Sequence, residues 1–192
     1  MKILVVYATH SGCTEDVARR IGTALRQGGA EVKVIPVESA PAPAGFDAVI
    51  VGSGVRAGKW HGPAIRWIEK HAAAVRAIPH AMFTVCLMMR DGQKKAPEVL
   101  AFTQPVFDRL DLKPVGVGLF PGWFVPEKFP LFERIILKMM KTPRGDFRDF
   151  DAVDSWVSVV APRLGLAISM DDVPENQADP VAEGDSSLQV EM

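Results

Sequence analysis

The chain has 192 residues, of which 48% are hydrophobic and 23% charged, a composition that suits one globular domain. Two cysteines, Cys13 and Cys86, are too few for a disulfide framework or a cysteine-based metal site and favour a reducing compartment. Seven of the 23 acidic residues and none of the 22 basic residues lie in residues 170–192. We therefore expect a folded domain over residues 1–168 and an acidic disordered tail over residues 169–192.

Apolar segments of strand length alternate with segments of helical periodicity, which predicts a parallel sheet with crossover helices. The second strand alternates apolar and polar residues, which is typical of a sheet edge. The predicted fold class is α/β, a doubly wound, five-stranded parallel sheet in the order 2-1-3-4-5 with an insertion at residues 121–149. The predicted strands cover residues 3–7, 31–37, 47–53, 81–87 and 113–120, and the predicted helices cover residues 14–27, 63–75, 96–110 and 150–164.

Neither a signal peptide nor a run of about 18 apolar residues is found in the sequence, so we expect a cytoplasmic protein. A nucleic-acid partner is not expected, because the small basic excess of the folded part is spread along the chain and matches no recognition motif. No metal-ligand spacing stands out either.

In the predicted strand order, ligands bind beyond the carboxyl ends of the first, third and fourth strands. Three segments lie there: "THSGCT", "SGVRAGKWH", and the end of the fourth strand with "MMRDG" after it. The candidate cofactor-binding residues are Thr9, His10, Ser11, Gly12, Cys13 and Thr14 in the first, Ser53, Gly54, Val55, Arg56, Gly58 and Trp60 in the second, and Thr84, Val85, Cys86, Leu87, Met88, Met89 and Arg90 in the third.

Two ligand classes fit the first loop poorly. A dinucleotide fingerprint needs three spaced glycines, and this loop has only Gly12. Cys13 and Arg19 have the C-x5-R spacing of a phosphatase, but Arg19 would lie a turn into the helix, and Glu15 and Asp16 would repel a phosphate dianion. A phosphomonoester held by hydroxyls and backbone N–H groups at a helix N-terminus fits better, since residues 5–18 contain no basic side chain other than histidine. An ordinary strand–turn–helix connection is the alternative.

The first loop and its flanking residues resemble the flavin-phosphate loop of flavodoxins. This resemblance implies an FMN cofactor, with Trp60 beside the flavin ring and Arg56 and Lys59 near its N1 side. For Trp60, packing in the core is an equally open interpretation, and the two basic residues could instead form a solvated rim. The residues that carry the resemblance are Val5, Val6, Tyr7, Thr9, Gly12, Thr14, Ala18 and Ile21.

The insertion contains an apolar stripe at helical spacing with basic residues beside it, a pattern that suits a membrane surface, an apolar ligand or a helix covering the sheet edge. The stripe consists of Leu131, Phe132, Ile135, Ile136, Met139 and Met140.

With the loops "THSGCT" and "GSGVRAGKWH", this layout resembles the flavodoxin-like, menaquinone-dependent protoporphyrinogen IX dehydrogenases of bacterial haem synthesis. That resemblance implies an FMN-dependent oxidoreductase that passes electrons from a tetrapyrrole to a quinone, cytoplasmic or peripheral on the inner face of the membrane. No catalytic side chain is assigned, because the flavin N5 performs the redox step. A flavodoxin-type electron-transfer protein or a generic quinone reductase is the alternative.

Overall fold

The computed structural model describes residues 1–128, 135, 139 and 143–167. Its central feature is a sheet with five parallel strands in the order β2-β1-β3-β5-β6, to which the two-residue strand β4 is added antiparallel to β3. This is the predicted order 2-1-3-4-5, renumbered because the sequence does not predict β4. The strands are β1 (Lys2–Ala8), β2 (Glu31–Pro36), β3 (Ala48–Arg56), β4 (Lys59–Trp60), β5 (His80–Val85) and β6 (Val117–Phe120).

Helices cover both faces of the sheet, and the strands between them are buried on both sides. The helices are α1 (Cys13–Gln27), α2 (Gly62–Arg76), α3 (Ala96–Leu100), α4 (Gln104–Arg109) and α5 (Phe150–Arg163). Along β1, Ile3 and Val5 belong to the apolar cluster under α1 and α5, whereas Leu4 and Val6 belong to the cluster under α2 and α4. β2 lies at the edge, as predicted, and exposes Glu31.

The predicted helix over residues 96–110 is wrong in one respect, because the chain forms α3 and α4 instead of one continuous helix. Between them, the buried Thr103 donates a hydrogen bond from its hydroxyl to the carbonyl oxygen of Leu100 at 3.0 Å. Pro105 then stands in the first turn of α4, where its missing N–H costs nothing, although inside a longer helix it would remove a hydrogen bond. The strand predicted over residues 113–120 is likewise shorter and begins at Val117.

The insertion begins and ends in a small hairpin. Strands β7 (Trp123–Phe124) and β8 (Gly145–Asp146) pair antiparallel, with Trp123 opposite Asp146. In the apolar stripe, Ile135 and Met139 have helical backbone and are 55% and 78% exposed. Among the helices that the structure describes, none has the length and apolar character needed to cross a bilayer. Leu131, Phe132, Ile136, Met140 and the predicted tail at residues 169–192 lie outside the described residues.

Candidate functional site

The carboxyl ends of β1, β3 and β5 lie side by side and bring the three predicted segments together. Ala8 is paired with Ser53, and Ser53 is paired with Thr84. Across the first and second loops, the rings of His10 and His61 meet edge to face with centroids 5.9 Å apart. The predicted loops therefore form one cluster at one edge of the sheet.

The first loop ends at the N-terminus of α1. Gly12 has the left-handed φ of +91° that glycine adopts readily, and it occupies the N-cap position without a side-chain cap. The first N–H groups of a helix have no acceptor inside the helix, so those of the first turn of α1 are available to a ligand. Thr14 in this turn is 2% exposed. This backbone geometry favours an anion at the end of the helix.

Two hydroxyl groups of this loop are arranged as donors. Thr9 Oγ1 accepts a hydrogen bond from the N–H of Gly12 at 3.0 Å, and Ser11 Oγ accepts one from the indole Nε1 of Trp123 at 3.1 Å. A hydroxyl whose oxygen already accepts a hydrogen bond keeps its own hydrogen for another acceptor. Thr9 and Ser11 can therefore both donate to an anionic oxygen.

A positive charge near the first loop comes from a distant part of the chain. Arg148, whose side chain is 17% exposed, places Nη1 2.7 Å from Asp16 Oδ2 and Nε 2.8 Å from Asp146 Oδ1. Its guanidinium lies 4.4 Å from the centroid of the Trp123 ring. Arg148 thus binds Asp16 and Asp146 together, and its single positive charge is shared between the two carboxylates.

Cys13 is not arranged as a nucleophile. Its side chain is 6% exposed, and this burial raises the pKa of the thiol to about 11, although a hydrogen bond with the backbone of Trp123 and the charge of Arg148 act in the opposite direction. Nucleophilic cysteines need the thiolate form near neutral pH. The structure therefore agrees with the rejection of a phosphatase mechanism.

The second segment folds back from β3 into β4. The buried Ser53 accepts a hydrogen bond from the N–H of His61 at 2.9 Å and donates one to the carbonyl oxygen of Gly54 at 2.9 Å. At Gly54, a Cβ atom would lie only 3.1 Å from Thr14 Oγ1, so a side chain there would crowd the first loop. Val55 and Arg56 pair with Trp60 and Lys59 across the turn that holds Gly58.

Trp60 lies in the core. Its side chain is 3% exposed, its Nε1 donates to Thr84 Oγ1 at 2.9 Å, and its ring meets Phe107 edge to face at 5.7 Å. The structure therefore agrees with the interpretation of Trp60 as a core residue. Trp60 supports the loop cluster through its position in β4 and its hydrogen bond to Thr84.

The third segment contributes mainly backbone and partly buried side chains. Leu87, Met88 and Arg90 are partly exposed, and Arg90 Nε lies 3.5 Å from Asp91 Oδ1. A short 3-10 helix at Leu87–Asp91 turns the chain away from β5. The remaining predicted residues of this segment, Thr84, Val85, Cys86 and Met89, are buried.

The insertion starts between the first and third segments. At Gly122, a Cβ atom would lie 3.3 Å from Val85 Cγ1 and 3.6 Å from Cys13 Sγ. The next residue is Trp123, whose ring stands 3.6 Å from the position of a Cβ on Gly12. The sequence shows Trp123 only as one of the aromatic residues of the insertion. Nothing in the sequence predicts that Arg148 lies near the first loop. Both belong to the loop cluster.

A family model described as the flavodoxin domain matches residues 4–151 of the chain. The chain belongs to the flavodoxin domain family. Among solved structures, this flavodoxin domain is similar to a flavodoxin from the domain Archaea, with a TM-score of 0.55 and 17% identity over 86% of this chain and 99% of that one. A point mutant of the flavodoxin from Pseudomonas aeruginosa gives a TM-score of 0.55 and 15% identity over the same shares. The predicted flavodoxin-like fold is therefore confirmed.

Two curated relatives extend the comparison beyond the fold. A protein of Escherichia coli (strain K12) named protoporphyrinogen IX dehydrogenase [quinone] is 22% identical over 151 residues, which are 78% of this chain and 83% of the relative. A protein of Leishmania major with the same name is 26% identical over 202 residues, covering 97% of this chain and 84% of the relative. The predicted resemblance to this group of flavodoxin-like proteins is thus confirmed as a similarity of sequence.

Proposed function

We propose that the chain is an FMN-dependent oxidoreductase that passes electrons from a protoporphyrinogen-like tetrapyrrole to a quinone. The observation that carries this proposal is the donor set of the first loop, within a flavodoxin domain whose curated relatives bear that enzyme's name. Two hydroxyl donors and the free N–H groups of α1 match the needs of a flavin phosphate. The substrate and the quinone acceptor are proposed for this chain from the names of these relatives, which share 22% and 26% identity with it.

The residues present fit FMN at this edge of the sheet. Thr9, Ser11 and the backbone N–H groups of residues 13 and 14 would hold the phosphate, and the absence of a side chain at Gly54 leaves room beside Thr14. The second and third segments, including Arg56 and Met88, would flank the ring. When bound, the flavin supplies the two-electron chemistry at its N5, and the protein supplies position and electrostatics.

The two histidines at the loop cluster would affect proton positions near the cofactor. Burial lowers the pKa of His61, and the nearby His10 lowers it further, so the His61 imidazole is neutral at physiological pH. Its Nδ1 is buried without a hydrogen-bond partner in the described part of the chain. A neutral ring in this position can accept a proton or a hydrogen bond at Nδ1 when a ligand brings a donor close.

The exposed part of the insertion suits a lipid-soluble acceptor. Ile135 and Met139 stand four residues apart on helical backbone, and both side chains are more than half exposed. Large apolar side chains that are exposed in this way often mark a surface that binds a membrane or another apolar partner. We propose that this surface makes peripheral contact with the membrane, where a quinone resides.

The hairpin β7–β8 makes a sharp test of this function possible. Residues 126–143 would be replaced by a short Gly-Asn-Gly turn, so that Trp123 and Arg148 stay against the first loop. We expect the purified full chain to carry FMN and to oxidise protoporphyrinogen IX with a menaquinone analogue. We expect the shortened variant to keep FMN, measured by absorbance after release, and to lose this turnover.

Two results would contradict the proposal. A full chain that binds no FMN, even after reconstitution, would exclude a flavin enzyme. A full chain that binds FMN but does not oxidise protoporphyrinogen would exclude this enzyme. The second candidate, a flavodoxin-type electron-transfer protein, would then be preferred, because the chain matches 99% of each flavodoxin chain in the structural comparison. A shortened variant that retains full turnover would contradict only the role of the insertion.

A further inference from the structure

The side chains of Trp123 and Arg148 attach the insertion to the first loop and the start of α1, and both residues lie outside the predicted site. Trp123 donates from Nε1 to Ser11 Oγ at 3.1 Å and lies against Gly12. Arg148 binds Asp16 at 2.7 Å and Asp146 at the same time. Since Trp123 and Asp146 are opposite each other in the β7–β8 hairpin, the two contacts form one unit.

Arg148 lies close to two aromatic rings. The guanidinium lies 4.4 Å from the ring centroid of Trp123 and 5.1 Å from that of Phe150, the first residue of α5. A guanidinium over aromatic faces is stabilised by cation–π attraction and keeps its donors in the plane free for carboxylates. Arg148 is thus fixed in position and turned toward the first turn of α1.

The position of Arg148 matters for anion binding because Asp16 carries a negative charge. Asp16 belongs to the first turn of α1, where a carboxylate is favourable to the helix but repels a phosphate at the same end. In the pair with Arg148, the charge of Asp16 is partly compensated, because the guanidinium also binds Asp146. The hydrogen bond from Trp123 has a separate effect, because it uses an acceptor site of the Ser11 hydroxyl and leaves the hydroxyl hydrogen to donate to a ligand.

We propose that Trp123 and Arg148 are positioning residues that make the first loop selective for phosphorylated flavin: Trp123 orients the Ser11 hydroxyl as a donor, and Arg148 offsets the charge of Asp16. This inference rests on the proposed function, since it assumes a flavin phosphate in the first loop. It extends that function by making the insertion part of cofactor selection as well as of substrate or membrane contact.

Arg20 of α1 supplies a matched control. It forms an ion pair with Asp154 of α5, but its side chain is 44% exposed and its hydrogen bonds go to Asp154 and not to the first loop. Exposed ion pairs contribute little to stability. Arg20→Gln therefore removes one ion-paired positive charge, as Arg148→Gln does, without changing the contacts of the first loop.

The test is a titration of the apo-protein, as the full chain, with FMN and with riboflavin, followed by quenching of flavin fluorescence. Riboflavin has the same ring without the phosphate. For Arg148→Gln we expect the Kd for FMN to rise about tenfold, as an uncompensated charge at a helix end predicts, and the Kd for riboflavin to stay unchanged. The double variant Asp16→Asn with Arg148→Gln should recover most of the lost FMN affinity. Arg20→Gln should change neither Kd.

Trp123→Phe gives a second test that does not depend on the folding of Arg148→Gln. The phenyl ring keeps the aromatic face under the guanidinium but removes the N–H that binds Ser11. We expect the Kd for FMN to rise about fivefold, the effect of one hydrogen bond, with riboflavin unchanged.

Equal weakening of both flavins in Trp123→Phe or Arg148→Gln would overturn the inference, because the two residues would then support the fold and not the phosphate. Unchanged FMN binding in both variants would overturn it as well while leaving the proposed function intact. A wild-type chain that binds neither flavin would contradict the proposed function and this inference together.

Discussion

Residues in the interior of the sheet and residues at its carboxyl edge are constrained by different contacts, as two glycines of β3 show. At Gly52, in the interior, a Cβ atom would lie 1.9 Å from the ring of Phe83 on the neighbouring strand. Two residues later, at Gly54, the nearest atom to such a Cβ is the Thr14 hydroxyl oxygen, at 3.1 Å. Packing of the core fixes the first position, and the geometry of the loop cluster fixes the second. Stability and ligand binding can therefore be changed separately within one strand.

The largest effect is expected from Gly52→Ala. Its methyl group would occupy the space of the Phe83 ring, which is fully buried and packs near Phe120. Overpacking of this kind forces shifts of backbone and side chains, so we expect the free energy of unfolding to fall by about 3 kcal/mol. Urea denaturation measures the loss, and Phe83→Leu in the same chain should restore part of it. An unchanged urea midpoint would show that the packing around Gly52 accommodates an added methyl group as easily as the contacts around Gly54 do.

An intermediate effect is expected at Cys13, which lies at the edge but is buried like an interior residue. Burial raises the pKa of its thiol from 9.0 to about 11. The folded chain therefore holds this proton more tightly than the unfolded chain, so the contribution to stability is complete below the unfolded pKa and is lost as the pH rises toward the folded pKa.

Cys13→Ala isolates this contribution, because it removes the thiol and leaves the other groups that titrate at alkaline pH. Between about pH 7.5 and about pH 10.5, we expect the wild type to lose about 1 to 2 kcal/mol more stability than Cys13→Ala. Urea midpoints at the two pH values provide the measurement. Parallel losses in both proteins would show that the thiol is as accessible in the folded chain as in the unfolded one. FMN binding at neutral pH should survive the substitution, since only the backbone of Cys13 faces the proposed ligand.

The smallest effect on stability is expected from Gly54→Ala. A contact of 3.1 Å with one hydroxyl can be relieved by a small movement of Thr14, so we expect a loss below about 1 kcal/mol in urea denaturation. That movement disturbs the first loop, and the affinity for FMN should fall although the fold is retained. A loss of stability as large as that of Gly52→Ala would remove the distinction between interior and edge.

The sequence predicts the parts of this molecule that depend on local patterns. Strands buried on both faces are continuous apolar runs, and their alternation with amphipathic helices predicts the order of the sheet. The loops that follow those strands must meet at one edge, so the cluster around Gly12 and Gly54 could be predicted as well. The break between α3 and α4 has a signal in the sequence that the periodicity of residues 96–110 hides, because Pro105 favours the first turn of a new helix over the interior of a longer one.

Contacts between distant residues could not be predicted in this way. Ser11 and Trp123 are 112 residues apart, and Asp16 and Arg148 are 132 residues apart. Neither pair has a spacing that a helix or strand would repeat, so periodicity contains no information about them. Trp60 illustrates a related difficulty: a tryptophan after a strand suits both a ligand ring and a core, and only its contacts with Thr84 and Phe107 distinguish the two.

The separation of Asp16 from Arg148 also has a consequence for the order of events during synthesis. All strands of the main sheet and all three loops precede Trp123 in the chain, whereas Arg148, at the end of the insertion, and α5 are made later. Contacts between such distant residues form late, because closing a long loop costs entropy that local structure does not have to overcome. A ribosome-bound chain that ends at residue 120 would therefore contain every strand of the main sheet but lack the charge that compensates Asp16. Tight cofactor capture would wait until the segment containing Arg148 has left the ribosome.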